Sequence, residues 1–142
     1  MSFENILYST EGPLALITIN RAEKHNAISL ATLADLNEAA DKAAEDTDVK
    51  VIAIQVAGGK SFATGTDLSD VLDRDLKKAL EPIVQGLADK LERIPKPTIA
   101  AIDGICMGGG LEVALGCDLR VATPSSKFAT PEGKLGIIPG GG

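Results

Sequence analysis

Tryptophan is absent from this 142-residue chain, which holds one tyrosine and three phenylalanines. A protein so poor in aromatic rings has no platform on which bases or sugars stack. Basic residues are also outnumbered: 14 Lys and Arg stand against 20 Asp and Glu, a formal net charge of −6. That is the wrong sign for a dedicated binder of nucleic acid or of an anionic membrane. Cys106 and Cys117 are the only cysteines, both in apolar surroundings, and read as free thiols of a reducing compartment. With one histidine, the chain lacks the paired four-ligand spacing of a structural zinc site, so no metal is expected. No run approaches the roughly 20 apolar residues that span a bilayer. Met1 to Ser9 lacks the basic-then-apolar order of a secretion signal. The expectation is a cytoplasmic protein.

What is present fits one domain over residues 1–142: 44% of the residues are hydrophobic and 24% charged, mixed along the chain. Ile6 to Ser9 and Leu14 to Asn20 are β-prone runs on either side of Glu11-Gly12-Pro13, which predicts a hairpin. Asn20 to Asn26 is a polar loop. Ser29 can cap a helix whose Leu33, Leu36, Ala40, Ala43 and Ala44 keep one buried face, ending near Asp46. Val51 to Val56 reads as a buried strand, and Ala57 to Gly65 as a glycine-rich loop that turns sharply. Leu76, Leu80, Ile83, Val84, Leu87, Leu91 and Ile94 form a helical stripe that Pro95 and Pro97 stop. Thr98 to Ile102 is a third buried strand, followed by Gly104, the triple Gly108-Gly109-Gly110 and a short helix over Leu111 to Leu115. Asp118 to Ala122 and Lys127 to Ala129 read as further strands. No internal sequence repeat is evident, and strands alternating with helices predict an α/β fold with parallel pairing.

Glycine-rich loops after buried strands raise phosphate binding first, and both motifs fail. Gly59-Lys60-Ser61 resembles the end of a P-loop, but the first glycine that motif requires falls on Ile54. A dinucleotide fingerprint starting at Gly108 needs a glycine where Val113 stands. No Ser or Cys sits in a nucleophile elbow. Two glutamates remain. Glu112 lies in the first turn of the short helix after the glycine triple, and Glu132 lies in Thr130-Pro131-Glu132-Gly133 between apolar residues. Spacing alone leaves two readings open. In one, Glu112 complements the helix dipole and Glu132 is an exposed turn residue. In the other, they are an acid and base pair in a dry cleft, with bare backbone N–H groups of the glycines presented to a substrate oxygen.

Four blocks in order are similar to the enoyl-CoA hydratase/isomerase, or crotonase, family. They are Asn20-Arg21-Ala22-Glu23-Lys24-His25-Asn26-Ala27, then Gly58 through Leu68, then Ile102-Asp103-Gly104 through Gly110-Leu111-Glu112, then Phe128 to Gly142. The resemblance implies an α/β fold wound as a spiral of ββα units, C-terminally incomplete, because family members continue into a helical region that covers the ligand and builds trimers or hexamers. It implies a homo-oligomer, an acyl-CoA thioester substrate, and no cofactor beyond the coenzyme A of that substrate.

By the same resemblance, the backbone N–H groups of Thr66 and Gly109 would hold the thioester oxygen. Glu112 would orient water toward C3, and Glu132 would deliver a proton to C2. Lys24, His25 and Ala27, with Thr66, Asp67, Leu68 and Gly109, would contact CoA or substrate, Lys24 or His25 near the phosphates. Both glutamates of the hydratase branch are present, which favours a 2-enoyl-CoA hydratase. An isomerase of the same family, or a truncated remnant that binds CoA or a partner without catalysis, are the alternatives. Thr66 stands where the family commonly has Ala or Gly. That change keeps a backbone donor and adds a branched side chain beside the acyl group.

Overall fold

Leu14 to Ile19 alternates half-buried and fully buried side chains, with Ala15, Ile17 and Ile19 on the inner face, as a strand covered on one side must. A computed structural model describes residues 3–58, 60–67, 83–136 and 138–140. In it the predicted hairpin forms from β1 (Ile6–Glu11) and β2 (Leu14–Ile19), paired antiparallel from Ile6 opposite Ile19 to Glu11 opposite Leu14. Only Gly12 and Pro13 separate the strands, and Gly12 takes the positive φ that so short a connection needs. Helix α1 (Leu30–Glu45) follows, its Thr32 N–H donating to the Ser29 hydroxyl at 3.1 Å, and it buries Leu33, Leu36, Ala39, Ala40 and Ala43. At its far end the Lys96 ammonium donates to the carbonyls of Ala43 and Asp46, which the helix leaves without intrahelical donors.

The remaining chain repeats one pattern three times: a longer strand, a short turn that holds glycine in the first two repeats and Thr123-Pro124-Ser125-Ser126 in the third, a three-residue strand, then a helical segment. The first set is β3 (Val51–Val56), β4 (Ser61–Ala63) and α2 (Ile83–Arg93). The second is β5 (Thr98–Ile102), β6 (Ile105–Met107) and α3 (Gly109–Leu115), and the third is β7 (Leu119–Ala122), β8 (Lys127–Ala129) and a 3-10 turn over Pro131–Leu135. The longer strands extend the hairpin into a five-stranded sheet of order β1-β2-β3-β5-β7, parallel from β2 onward. The short ones make a separate parallel sheet of order β4-β6-β8. This is the α/β spiral of ββα units that the resemblance implies.

Two strands of the second sheet, β4 and β6, are the main departure from the sequence reading, which places β8. Ala57 to Gly65 is not loop throughout: Ser61, Phe62 and Ala63 are a fully buried strand, and Cys106 in β6 is buried beside it. Three residues are too few for a period of two to register, and glycines on both sides conceal them. Of the predicted helical stripe, Val84, Leu87 and Leu91 are buried on α2, while Leu76 and Leu80 lie outside the described residues. Strands β7 and β8 are the outer strands of their sheets, and Leu119, Val121 and Phe128 on them are exposed.

Candidate active site

In open parallel sheets with helical connections, ligands bind outside the carboxyl ends of the strands. The three ends of the small sheet carry the residues singled out from the sequence. Thr66 lies three residues beyond β4, Gly108 and Gly109 directly follow β6, and Glu132 lies three residues beyond β8.

Glycine is required here by space. A Cβ on Gly109 would lie 3.0 Å from the Thr66 hydroxyl oxygen and 3.5 Å from the Thr66 nitrogen. One on Gly65 would lie 3.9 Å from the Gly109 nitrogen. The Thr66 and Gly109 backbones are therefore neighbours. Gly110 sits so close to β4 that a Cβ would fall 2.7 Å from the Ala63 carbonyl oxygen, which lets α3 start directly above the small sheet.

Among the described residues, the N–H groups of Thr66 and Gly109 have no hydrogen-bond acceptor. Ile28 forms a lone parallel bridge with Thr66: its N–H donates to Gly65 O at 2.8 Å, and its carbonyl accepts from Asp67 N–H at 3.0 Å. Such a bridge engages the residues on either side of Thr66 and turns the N–H of Thr66 itself to the opposite side. Gly109 opens α3, where the first N–H groups have no carbonyl one turn earlier to accept them.

Both glutamates are buried, Glu112 to 7% exposure and Glu132 to 9%. Glu112 lies in the first turn of α3, its own N–H donating to Gly108 O. Glu132 folds back over the glycines, so that its Oε1 stands 2.9 Å from where a Gly108 Cβ would be, and its Oε2 is buried with no hydrogen-bond partner among the described residues. A turn residue exposed to water would not look like this. Burying a carboxylate oxygen without a partner costs free energy that a ligand's donor or proton recovers.

The loop at residues 21–28 leads to the bridge between Ile28 and Thr66. Lys24 and His25 are exposed, Ala27 is half-buried, and the Thr64 hydroxyl donates to His25 O. Asp67 pairs with Arg21 at 3.3 Å, and Leu68 lies outside the described residues. Two residues read only as polar loop prove to organise this region. Asn26, 1% exposed with φ +55, accepts from Arg21 N–H and donates to Ser61 O at 2.8 Å. Arg21 donates to Ala27 O as well as to Asp67. Their partners lie up to 46 residues away, so no local pattern in the sequence marks them. The thiols are not nucleophiles: burial pushes Cys106 and Cys117 up to about 12. Among the described residues no three His, Cys, Asp or Glu side chains gather as metal ligands, and no helix is long and apolar enough to cross a membrane.

Residues 9–142 match the family model described as enoyl-CoA hydratase/isomerase. The chain is 35% identical over 144 residues to the short-chain-enoyl-CoA hydratase of Clostridium acetobutylicum and 37% identical over 144 residues to the crotonyl-CoA hydratase of Syntrophomonas wolfei. It covers 55% of each while all of its own length is matched. The crystal structure of an enoyl-CoA hydratase from Bacillus anthracis superposes with a TM-score of 0.92 at 32% identity, over 98% of this chain and 55% of that one. The chain thus spans about half the length of the curated relatives it matches.

Proposed function

Because the chain belongs to the enoyl-CoA hydratase/isomerase family, we propose that the protein is an enoyl-CoA hydratase, adding water across the double bond of a 2-enoyl-CoA at the carboxyl end of the small sheet. What supports this reading is that the Thr66 and Gly109 backbones are neighbours there, beside a buried carboxylate whose Oε2 has no hydrogen-bond partner among the described residues.

Water attacking C3 moves an electron pair through C2 onto the thioester oxygen. The N–H groups of Thr66 and Gly109 receive that charge, each donor contributing about 3 kcal/mol in the transition state. Glu112 orients the water and takes its proton as the bond to C3 forms. Glu132 delivers a proton to C2 when the enolate collapses. One proton is taken and one is given, so two carboxyl groups complete the addition. Lys24 or His25, exposed in the loop at residues 21–28, meets the CoA phosphates, and Ala27 contacts the substrate. The Thr66 side chain, close over Gly109, narrows the acyl entrance. The working enzyme is a cytoplasmic homo-oligomer whose contacts cover the apolar side chains exposed on β7 and β8.

The test is turnover of crotonyl-CoA by the complete gene product, followed by loss of the enoyl-thioester absorbance. Glu112→Ala and Glu132→Ala each lower the rate at least about 100-fold while binding changes less. Wild-type turnover in either variant refutes the assignment. Movement of the double bond without water uptake favours the isomerase alternative.

A further inference from the structure

The backbone pairing that orients Thr66 is a single bridge, two hydrogen bonds to Ile28 with no ladder continuing on either side among the described residues. Two such bonds are a weak hold on a donor that must not drift, because a misplacement near 1 Å costs about 100-fold in rate. The structure supplies a second hold through side chains. One guanidinium touches both sides of the bridge: Arg21 Nη1 donates to the carbonyl of Ala27, immediately before Ile28, and Nη2 pairs with the carboxylate of Asp67, immediately after Thr66. Arg21 is itself fixed at its backbone by Asn26, which is anchored to β4 through Ser61 O. The clamp is three-quarters or more sequestered from water, with side-chain exposures of 15% and 21% for Arg21 and Asp67. A lysine at position 21 carries the charge without the planar fork that reaches two acceptors at once.

We propose that Arg21, acting through Asp67 and the Ala27 carbonyl, is a positioning residue that sets the direction of the Thr66 N–H. The assignment rests on the reading of Thr66 as an oxyanion donor. It gives Asp67 a positioning role, with its carboxylate turned to Arg21 instead of to CoA.

Three variants of the complete gene product test it: Arg21→Gln, Arg21→Lys and Asp67→Asn. Each is assayed for crotonyl-CoA hydration and by isotope-edited infrared spectroscopy of a bound, unreactive acyl-CoA carrying 13C at the thioester carbonyl. In the wild type that band lies below its frequency in water. In Arg21→Gln and Asp67→Asn it moves back toward the water value, and kcat falls about 10- to 100-fold with KM nearly unchanged, the signature of an interaction made in the transition state. Arg21→Lys recovers part of the loss, and Arg21→Gln with Asp67→Asn is no slower than the worse single variant, because the two act as one unit. Asp41→Asn, which breaks the surface pair with Lys90, leaves kcat and the band unchanged. A purely structural role would lower the melting temperature and leave the band and kcat of folded protein at wild-type values, and that result overturns the proposal. If Arg21→Gln does not fold, Asp67→Asn carries the same expectation and the same refutation. An unshifted band in the wild type instead refutes the oxyanion reading itself.

Discussion

Replacing Gly108 by alanine adds one methyl group at the point where strain, packing and chemistry meet. Gly108 has φ +50 and ψ −129, a conformation that costs an L-residue about 1 to 3 kcal/mol. The new Cβ would stand 2.9 Å from Glu132 Oε1, inside van der Waals contact, and 3.5 Å from Gly65 Cα, which is tolerable. Of the two neighbours the carboxylate is the one that yields, since it is the free end of a flexible side chain. The steric cost to folding is therefore small, and the backbone cost of about 2 kcal/mol dominates the stability change. At this chain length that lowers the melting temperature by about 4 to 10 °C. On the proposed assignment the displaced carboxylate no longer serves C2, and turnover falls by at least about 100-fold, as for loss of a general acid. The assay is crotonyl-CoA hydration by the complete gene product, well below the melting temperature of both proteins, beside a thermal melt. Lowered melting with wild-type turnover would show that the carboxylate over Gly108 has no part in the chemistry. Unchanged melting would refute the assignment of strain to this turn.

Gly86 lies within α2 with nothing within 4 Å of its would-be Cβ, so Gly86→Ala raises stability by about 0.5 to 1 kcal/mol in a denaturant titration without altering turnover. Asp118 accepts from both the N–H and the hydroxyl of Thr98 at 2.8 Å, and these bonds hold its carboxyl below the ordinary value of 3.8. A depressed folded value means stability present above the unfolded pKa and lost as pH falls through the folded one. Unfolding followed from pH 5 downward therefore shows a steeper acid decline in the wild type than in Asp118→Asn. The purified 142-residue chain self-associates through Leu119, Val121 and Phe128, and Leu119→Lys with Val121→Lys shifts it toward monomer in size-exclusion chromatography with light scattering. A monodisperse wild-type monomer contradicts that expectation.

The large sheet was legible because its strands are long and bounded. Val51 to Val56 and Thr98 to Ile102 are apolar runs between turn signals, and both strands form over those residues. Ser29 was legible as a cap for the same kind of reason, a local hydrogen bond read from a local pattern. Of the small sheet only Lys127 to Ala129 was legible, since Ser61 to Ala63 and Ile105 to Met107 owe their extended form to each other across more than 40 residues. The pair Arg21 and Asp67 was hidden by the same distance. At the site, Glu112 and Glu132 could be picked out as unusual, but spacing alone could not choose between a turn residue and a buried carboxylate. The choice follows from Glu132 lying against a glycine that leaves it room.

The three ββα units begin at Val51, Thr98 and Leu119, so they occupy very unequal lengths of chain while laying down equivalent strands. Neither sheet registers how far the chain travels between leaving the small sheet and rejoining the large one. The excursion after β4, from Thr64 to the start of β5, spans more than 30 residues, whereas the one after β6 holds little more than the short helix α3. Because that longer excursion passes through Thr66, which on the proposed reading stands beside the acyl group, this side of the site is the part that can be rewritten at least cost to folding. Changes of acyl preference among such chains should concentrate there, leaving the glycine turn at Gly108 untouched.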